Sequence, residues 1–268
     1  MAFTMDIHLP KRSVSQKEPK AQETILDIFF TNTTAPTLLR SFLPGVISIS
    51  VTNCIVQSYT YFLTGTAEFF LFAVMSFDRY IAICHPLHYN VIMCKKVCIQ
   101  FICGVLIGSF ISVSPPLILF MRLTFCFNLI NHFFCDIGPL LMNSCTETQS
   151  VQLLSLVNTS VLFFSLIVTV ISYISIMVAI LRIKSKDGRD KAFSTCSSHA
   201  IVVALVFGSC MLMYVRPVDG NILDSNKKLS ILNTVIVPLI NPYVYTLRNK
   251  LVKESLKQAL NRTLNRSK

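Results

Sequence analysis

An acid and a base stand side by side in Met75-Ser76-Phe77-Asp78-Arg79-Tyr80-Ile81-Ala82-Ile83-Cys84, at the end of a long apolar run. Such a pair can be a plain interfacial ion pair, with Arg79 snorkelling back to water along its own stem. It can also be a latch that holds two helices and releases one on activation, and the chemistry alone leaves both readings open. Glu68 is the sole charged residue of 41–77, and an acid in an apolar helix has to face the interior or a polar partner. Lys191-Ala192-Phe193-Ser194-Thr195-Cys196-Ser197-Ser198-His199 gathers hydroxyls and an imidazole where another apolar run begins. Ser and Thr there can satisfy backbone groups or pack against neighbouring helices. Ser198 and His199 have no acid and no metal-ligand cluster beside them, so the sequence does not read as an enzyme and implies no cofactor and no metal. Pro238-Leu239-Ile240-Asn241-Pro242-Tyr243-Val244-Tyr245-Thr246-Leu247-Arg248-Asn249-Lys250 puts Pro242 inside a helical run, where it removes a backbone bond and kinks the helix.

The elements that position these residues follow from where charge is missing. Hydrophobic residues make up 53% of the chain and charged ones 14%, against about 25% charge in an average soluble domain. No Asp, Glu, Lys or Arg occurs in 97–121, 148–181, 192–215 or 229–247. Crossing roughly 30 Å of hydrocarbon takes about 20 mainly apolar residues in a helix. The sequence therefore predicts an all-α, multi-pass transmembrane helix bundle with spans at about 56–83, 97–121, 151–181, 192–215 and 229–247. A soluble protein with that many uncharged helices would lack the polar surface to cover them.

Positive residues mark the sides of the membrane. Arg79, Lys95 and Lys96 follow the first span, and Arg182, Lys184, Lys186, Arg189 and Lys191 separate the third from the fourth. Residues 259–268 end a basic tail, while Arg122, Arg216, Lys227 and Lys228 are the few basic residues on the alternate side. Short cytosolic loops accumulate Lys and Arg, so the tail is expected in the cytosol and the loop after the second span outside. The net charge of +11 thus reads as topology signal facing membrane lipid, with no basic stripe interleaved with aromatics of the kind that binds nucleic acid. Residues 1–24 are polar and of mixed charge, lack a signal-peptide core and are expected to be disordered. Asn32-Thr33-Thr34 is a glycosylation sequon by pattern. Of the ten cysteines, Cys54, Cys126, Cys135 and Cys145 lie on the outer side, where three disulfide pairings, or zinc binding with His132, are open.

The segments Met75 to Cys84, Lys191 to His199 and Pro238 to Asn249, with Ser172-Tyr173, resemble in order and spacing the signature stretches of mammalian olfactory receptors. These are rhodopsin-like, seven-helix, G-protein-coupled receptors. The resemblance covers about 25–258 and equates the five spans with the family's third to seventh helices. It implies a receptor fold lacking the first helix and most of the second, with residues 1–24 outside the family pattern. Ile25 to Phe30 is similar only to the outer end of the second helix.

By that resemblance Cys54 pairs with Cys135, and Cys126 with Cys145. It places a ligand pocket against Tyr61, Phe62, Gly65 and Thr66. Val157, Asn158 and Val161 would face it from the third span, and Phe207, Cys210, Met211 and Tyr214 from the fourth. Apolar walls with a few polar handles suit a small volatile odorant. Glu68 would belong to a polar core. Asp78, Arg79, Tyr80, Tyr173, Lys191, His199, Asn241, Pro242 and Tyr245 match segments that carry activation of a heterotrimeric G protein of the stimulatory olfactory type. The expected location is the plasma membrane. A chain without the front helices is also expected to be held in the endoplasmic reticulum, as a non-signalling fragment or pseudogene product. A transporter is the remaining reading, for which Glu68 and the break at Pro242 would serve, but the spans show no internal repeat.

Overall fold

Val51 to Cys84 forms one helix, α1, and the reason it holds so many polar residues is its position among other helices. The computed structural model describes residues 49–130, 135, 140–141 and 143–214. Along the chain these form β1 (Ile49–Ser50), α1 (Val51–Cys84), α2 (Tyr89–Ile92), α3 (Lys95–Phe120), β2 (Leu129–Ile130), α4 (Gln149–Leu181) and α5 (Lys186–Tyr214). The chain divides into two units, Met1–Ala192 and Phe193–Lys268. In the first unit α1 packs against both α3 and α4, and α3 also touches α4. Its buried set of Cys54, Gln57, Ser58, Tyr61, Thr64, Glu68, Leu71, Phe72, Met75, Ser76, Arg79 and Ala82 recurs at helical spacing.

Among the described residues, Lys95–Phe120 and Gln149–Leu181 are long and apolar enough to cross a membrane. They expose Phe110, Ile111, Ile118, Phe164, Ile167 and Ile174, the pattern of helices whose outer face meets lipid. α1 is more polar because its Ser, Thr and acidic residues are turned inward. His199–Leu212 is a shorter apolar stretch within α5. The fifth expected span, with Asn241, Pro242 and Tyr245, and the sequon at Asn32 lie outside the described residues.

Hydroxyls inside the helices bond back to their own backbone, which lets polar side chains sit in an apolar bundle. Ser76 Oγ donates to Phe72 O at 2.7 Å, Ser109 Oγ to Val105 O at 2.6 Å, and Ser172 Oγ to Val168 O at 2.8 Å. α3 continues through Pro115 and Pro116, which deprives the carbonyls one turn earlier of their amide donors.

Three features differ from the sequence-based expectation. The purely α description needs one addition, because β1 and β2 pair antiparallel, Ile49 with Ile130 and Ser50 with Leu129. A two-residue strand has no detectable alternation; here the segment after α3 is drawn back along the start of α1 by the Cys54–Cys135 disulfide and by Val51 N donating to Asn128 O at 3.1 Å. The second difference is α5, which begins at Lys186 and not at 192. Ser185 Oγ accepts from Gly188 N at 3.3 Å, a side-chain cap that starts the helix within a segment read from its charges as loop. The third is α2, a short turn of helix after Pro86 that has no periodic signal.

Candidate functional site

At its N-terminal end, α1 starts from Ser50, whose hydroxyl accepts from Asn53 N at 3.3 Å. One turn on, Cys54 is joined to Cys135 with Cα atoms 5.2 Å apart, and Cys126 is joined to Cys145. These are the two pairings implied by the family resemblance. Cys54, Phe120, Ile130, Cys135, Leu140 and Val151 form one buried cluster. Gln57, 6% exposed, adds a second anchor, with its Oε1 accepting from Cys135 N at 3.3 Å. The segment around Cys135, between α3 and α4, is thereby fixed to α1 both covalently and by a buried amide.

Below this anchor lie the residues expected to line a ligand pocket. Tyr61 and Thr66 are buried, Phe62 and Gly65 half-buried. The Tyr61 and Phe62 rings meet edge to face with centroids 5.3 Å apart. Val161 is half-buried on α4, whereas Val157 and Asn158 are helical with side chains outside the described set. Glu68 is buried further along α1. In the second unit, Phe207 and Cys210 are buried and Met211 half-buried, and Tyr214 ends α5. The α1 residues are thus brought together on one helix, with α4 alongside it. The α5 residues belong to the other unit.

The C-terminal end of α1 shows more than the sequence suggested. Asp78 and Arg79 are 3% and 7% exposed, so the pair is interior and not a solvated boundary charge. Arg79 Nε stands 4.0 Å from Asp78 Oδ2, the long limit of an ion pair. The other carboxylate oxygen, Oδ1, accepts a 2.7 Å bond from Tyr89 Oη. Tyr89 is fully buried in a cluster with Ile81, Ala82, Met93 and Cys98. Next to it, Tyr80 Oη and His85 Nε2 are 3.3 Å apart, with their rings edge to face. Tyr173 on α4 is half-buried; Lys191 is helical in α5, and His199, in the second unit, is 3% exposed. Among the described residues no group of His, Cys, Asp and Glu is placed to hold a metal ion.

Sequence reasoning missed Gln57 and Tyr89. Tyr89 ends the stretch His85-Pro86-Leu87-His88-Tyr89 that directly follows Cys84, and the available clue was Pro86, which turns the chain and can bring a following residue back beneath the helix end.

The matches to known proteins converge on one group. The family model described as olfactory receptor matches residues 21–263, slightly beyond both ends of the resemblance drawn from motifs. The chain is 46% identical over 238 residues to olfactory receptor 6E1 of mouse, covering 87% of this chain and 76% of that protein. It is 42% identical over 239 residues to human olfactory receptor 6X1, covering 88% and 77%. With human olfactory receptor 6C76 the identity is 43% over 245 residues, covering 91% and 78%.

Proposed function

Because the chain belongs to the olfactory receptor family, G-protein-coupled, multi-pass plasma-membrane receptors and not enzymes, we propose that it binds a small volatile odorant and activates a heterotrimeric G protein of the stimulatory olfactory type. The ligand would lie inside the bundle against Tyr61, Phe62, Gly65 and Thr66 of α1. Two aromatic rings, a gap at glycine and one hydroxyl suit a weakly polar molecule of modest size. The Cys54–Cys135 link and the Gln57 amide would hold the outer loop above that face.

The observation that carries the reading is the acid–base pair buried at the other end of the same helix. A buried ion pair is poor evidence of stability, because desolvation offsets much of its attraction. It is well suited to a switch, because it can exist in two arrangements of similar energy. In this reading, ligand on the outer half of α1 favours the arrangement in which Arg79 leaves Asp78 and meets the G protein.

The test is a cyclic-AMP reporter assay of the chain over an odorant panel, with surface expression measured in the same cells. An odorant-dependent rise that Arg79→Ala reduces at least tenfold at equal surface level is the expected result. A chain at the surface that answers no odorant, while mouse olfactory receptor 6E1 responds in the same assay, would refute the reading.

A further inference from the structure

Three large apolar side chains stand out from the segment that follows α3, beyond the end of that helix. Met121 is 66% exposed, Phe127 71% and Leu129 58%, whereas Phe125 and Ile130 pack into the cluster around Cys54. We propose that this segment rests on the lipid surface, with Phe127 and Leu129 in the boundary between headgroups and acyl chains and Arg122 on a lipid phosphate.

Continuity with the helices favours lipid over any other cover. One buried cluster holds Cys54 of α1, Phe120 of α3 and Val151 of α4, so the start of α1, the end of α3 and the start of α4 lie together. Near that end each helix exposes an apolar residue, namely Val56, Ile118 and Leu153. α3 and α4 are also the described helices long and apolar enough to cross a membrane. Met121, Phe127 and Leu129 extend the apolar surface that those helices present.

The backbone of the segment is prepared for such a setting. Cys126 N donates to Asn143 O and Cys145 N to Thr124 O, both at 2.9 Å, and Val51 N donates to Asn128 O at 3.1 Å. Asn143 Nδ2 donates to Phe127 O at 2.7 Å. Backbone groups bonded in this way lose little on leaving water, whereas bare ones would make the move costly. The Cys126–Cys145 and Cys54–Cys135 links fix the geometry beforehand, so little ordering remains to oppose contact. Charge agrees with it as well. Arg122 is the sole charged residue of 121–130 and is exposed, and a guanidinium fork matches phosphate oxygens. Apolar and aromatic side chains beside basic ones are the composition of surfaces that lie in a membrane interface.

The chain contains no tryptophan, so a single introduced indole reports from one place. The test uses the full chain in phosphatidylcholine vesicles, carrying Phe127→Trp, Leu129→Trp or, as an exposed reference, Glu147→Trp. The first two are expected to be quenched by phosphatidylcholine brominated on its acyl chains, and shielded from aqueous acrylamide, severalfold more than the third. Adding Arg122→Gln to Phe127→Trp should weaken the lipid quenching and admit acrylamide; no change would overturn the part given to Arg122. Indoles open to acrylamide and untouched by brominated lipid would overturn the proposal. Indoles shielded from both would also overturn it, because the cover would then be protein, either a second copy or another part of this chain. Equal lipid quenching at Glu147→Trp would do the same, since immersion would not be confined to this segment. The unaltered chain gives a second reading, free of any effect of substitution on folding. A phosphatidylcholine with a photoactivatable group near the start of its acyl chain should label peptides from 121–130, and labelling of α3 and α4 without them would sink the idea. The contact requires a membrane and no odorant, so a chain silent in the cyclic-AMP assay leaves it standing.

Discussion

Thr169 is 1% exposed, and its Oγ1 has no hydrogen-bond partner among the described residues, whereas Ser165 and Ser172 on the same helix bond to Leu162 O and Val168 O. A buried hydroxyl without a partner costs about 1–3 kcal/mol. Thr169→Val keeps the shape and removes that cost, so it should raise thermal stability in detergent by about 1–2 kcal/mol, and a loss of stability would argue for an unseen partner. Gln57→Leu should act in the opposite direction. It leaves the amide of Cys135 buried without its acceptor, and a loss of about 1–2 kcal/mol is expected in the same thermal assay. Single residues were legible in the sequence where a motif fixes them, as with Asp78, Arg79 and Cys54. Gln57 and Tyr89 were not, since each acts on a residue distant along the chain, and neither periodicity nor composition encodes that reach.

The helices that meet lipid, α3 and α4, were legible from the absence of charge, and their ends fall within two residues of the expected ones. α5 was legible only in its apolar part, because charged residues capped by Ser185 form helix as readily as they form loop. The strand pair and α2 are too short for any pattern to declare them. Within α3 two glycines on one face separate intrinsic helix preference from packing. A Cβ at Gly104 would meet nothing within 4 Å, whereas one at Gly108 would come within 3.3 Å of Phe70 Cε2. Alanine is preferred to glycine in a helix by about 0.5–1 kcal/mol. Gly104→Ala should therefore be stabilising by about that amount, and Gly108→Ala should gain less or lose stability as the Phe70 ring gives way. Melting of the two variants side by side reads this directly; equal gains would mean that Phe70 moves at no cost.

For the whole molecule, the sequence indicated a membrane bundle and its family, but not how the second unit is arranged, since charge counts carry no distances. The Lys and Arg distribution predicts the tail in the cytosol and the 122–148 loop outside. Tags at Ser267 and Asn143 in sealed vesicles should be accessible from opposite sides, and both on one side would contradict that topology. The two disulfides should differ in worth, because they close loops of separation 81 and 19. Chain entropy gives about 4.5 and about 3.3 kcal/mol respectively. Cys54→Ser should thus lower thermal stability more than Cys126→Ser, and the reverse order would point to strain or residual order in the unfolded chain. The same bridges also interlock, since Cys126 lies between Cys54 and Cys135, while Cys135 lies between Cys126 and Cys145. A ribosome delivers them in sequence order, so the first oxidisable partner that Cys54 meets is Cys126, and its native partner follows about 2 s later or less at roughly 5–20 residues per second. Vectorial synthesis therefore offers the wrong pair first, and maturation depends on thiol–disulfide exchange that undoes it. Depleting a disulfide isomerase should trap a species linked through Cys54 and Cys126, a biosynthetic checkpoint written into the order of four cysteines.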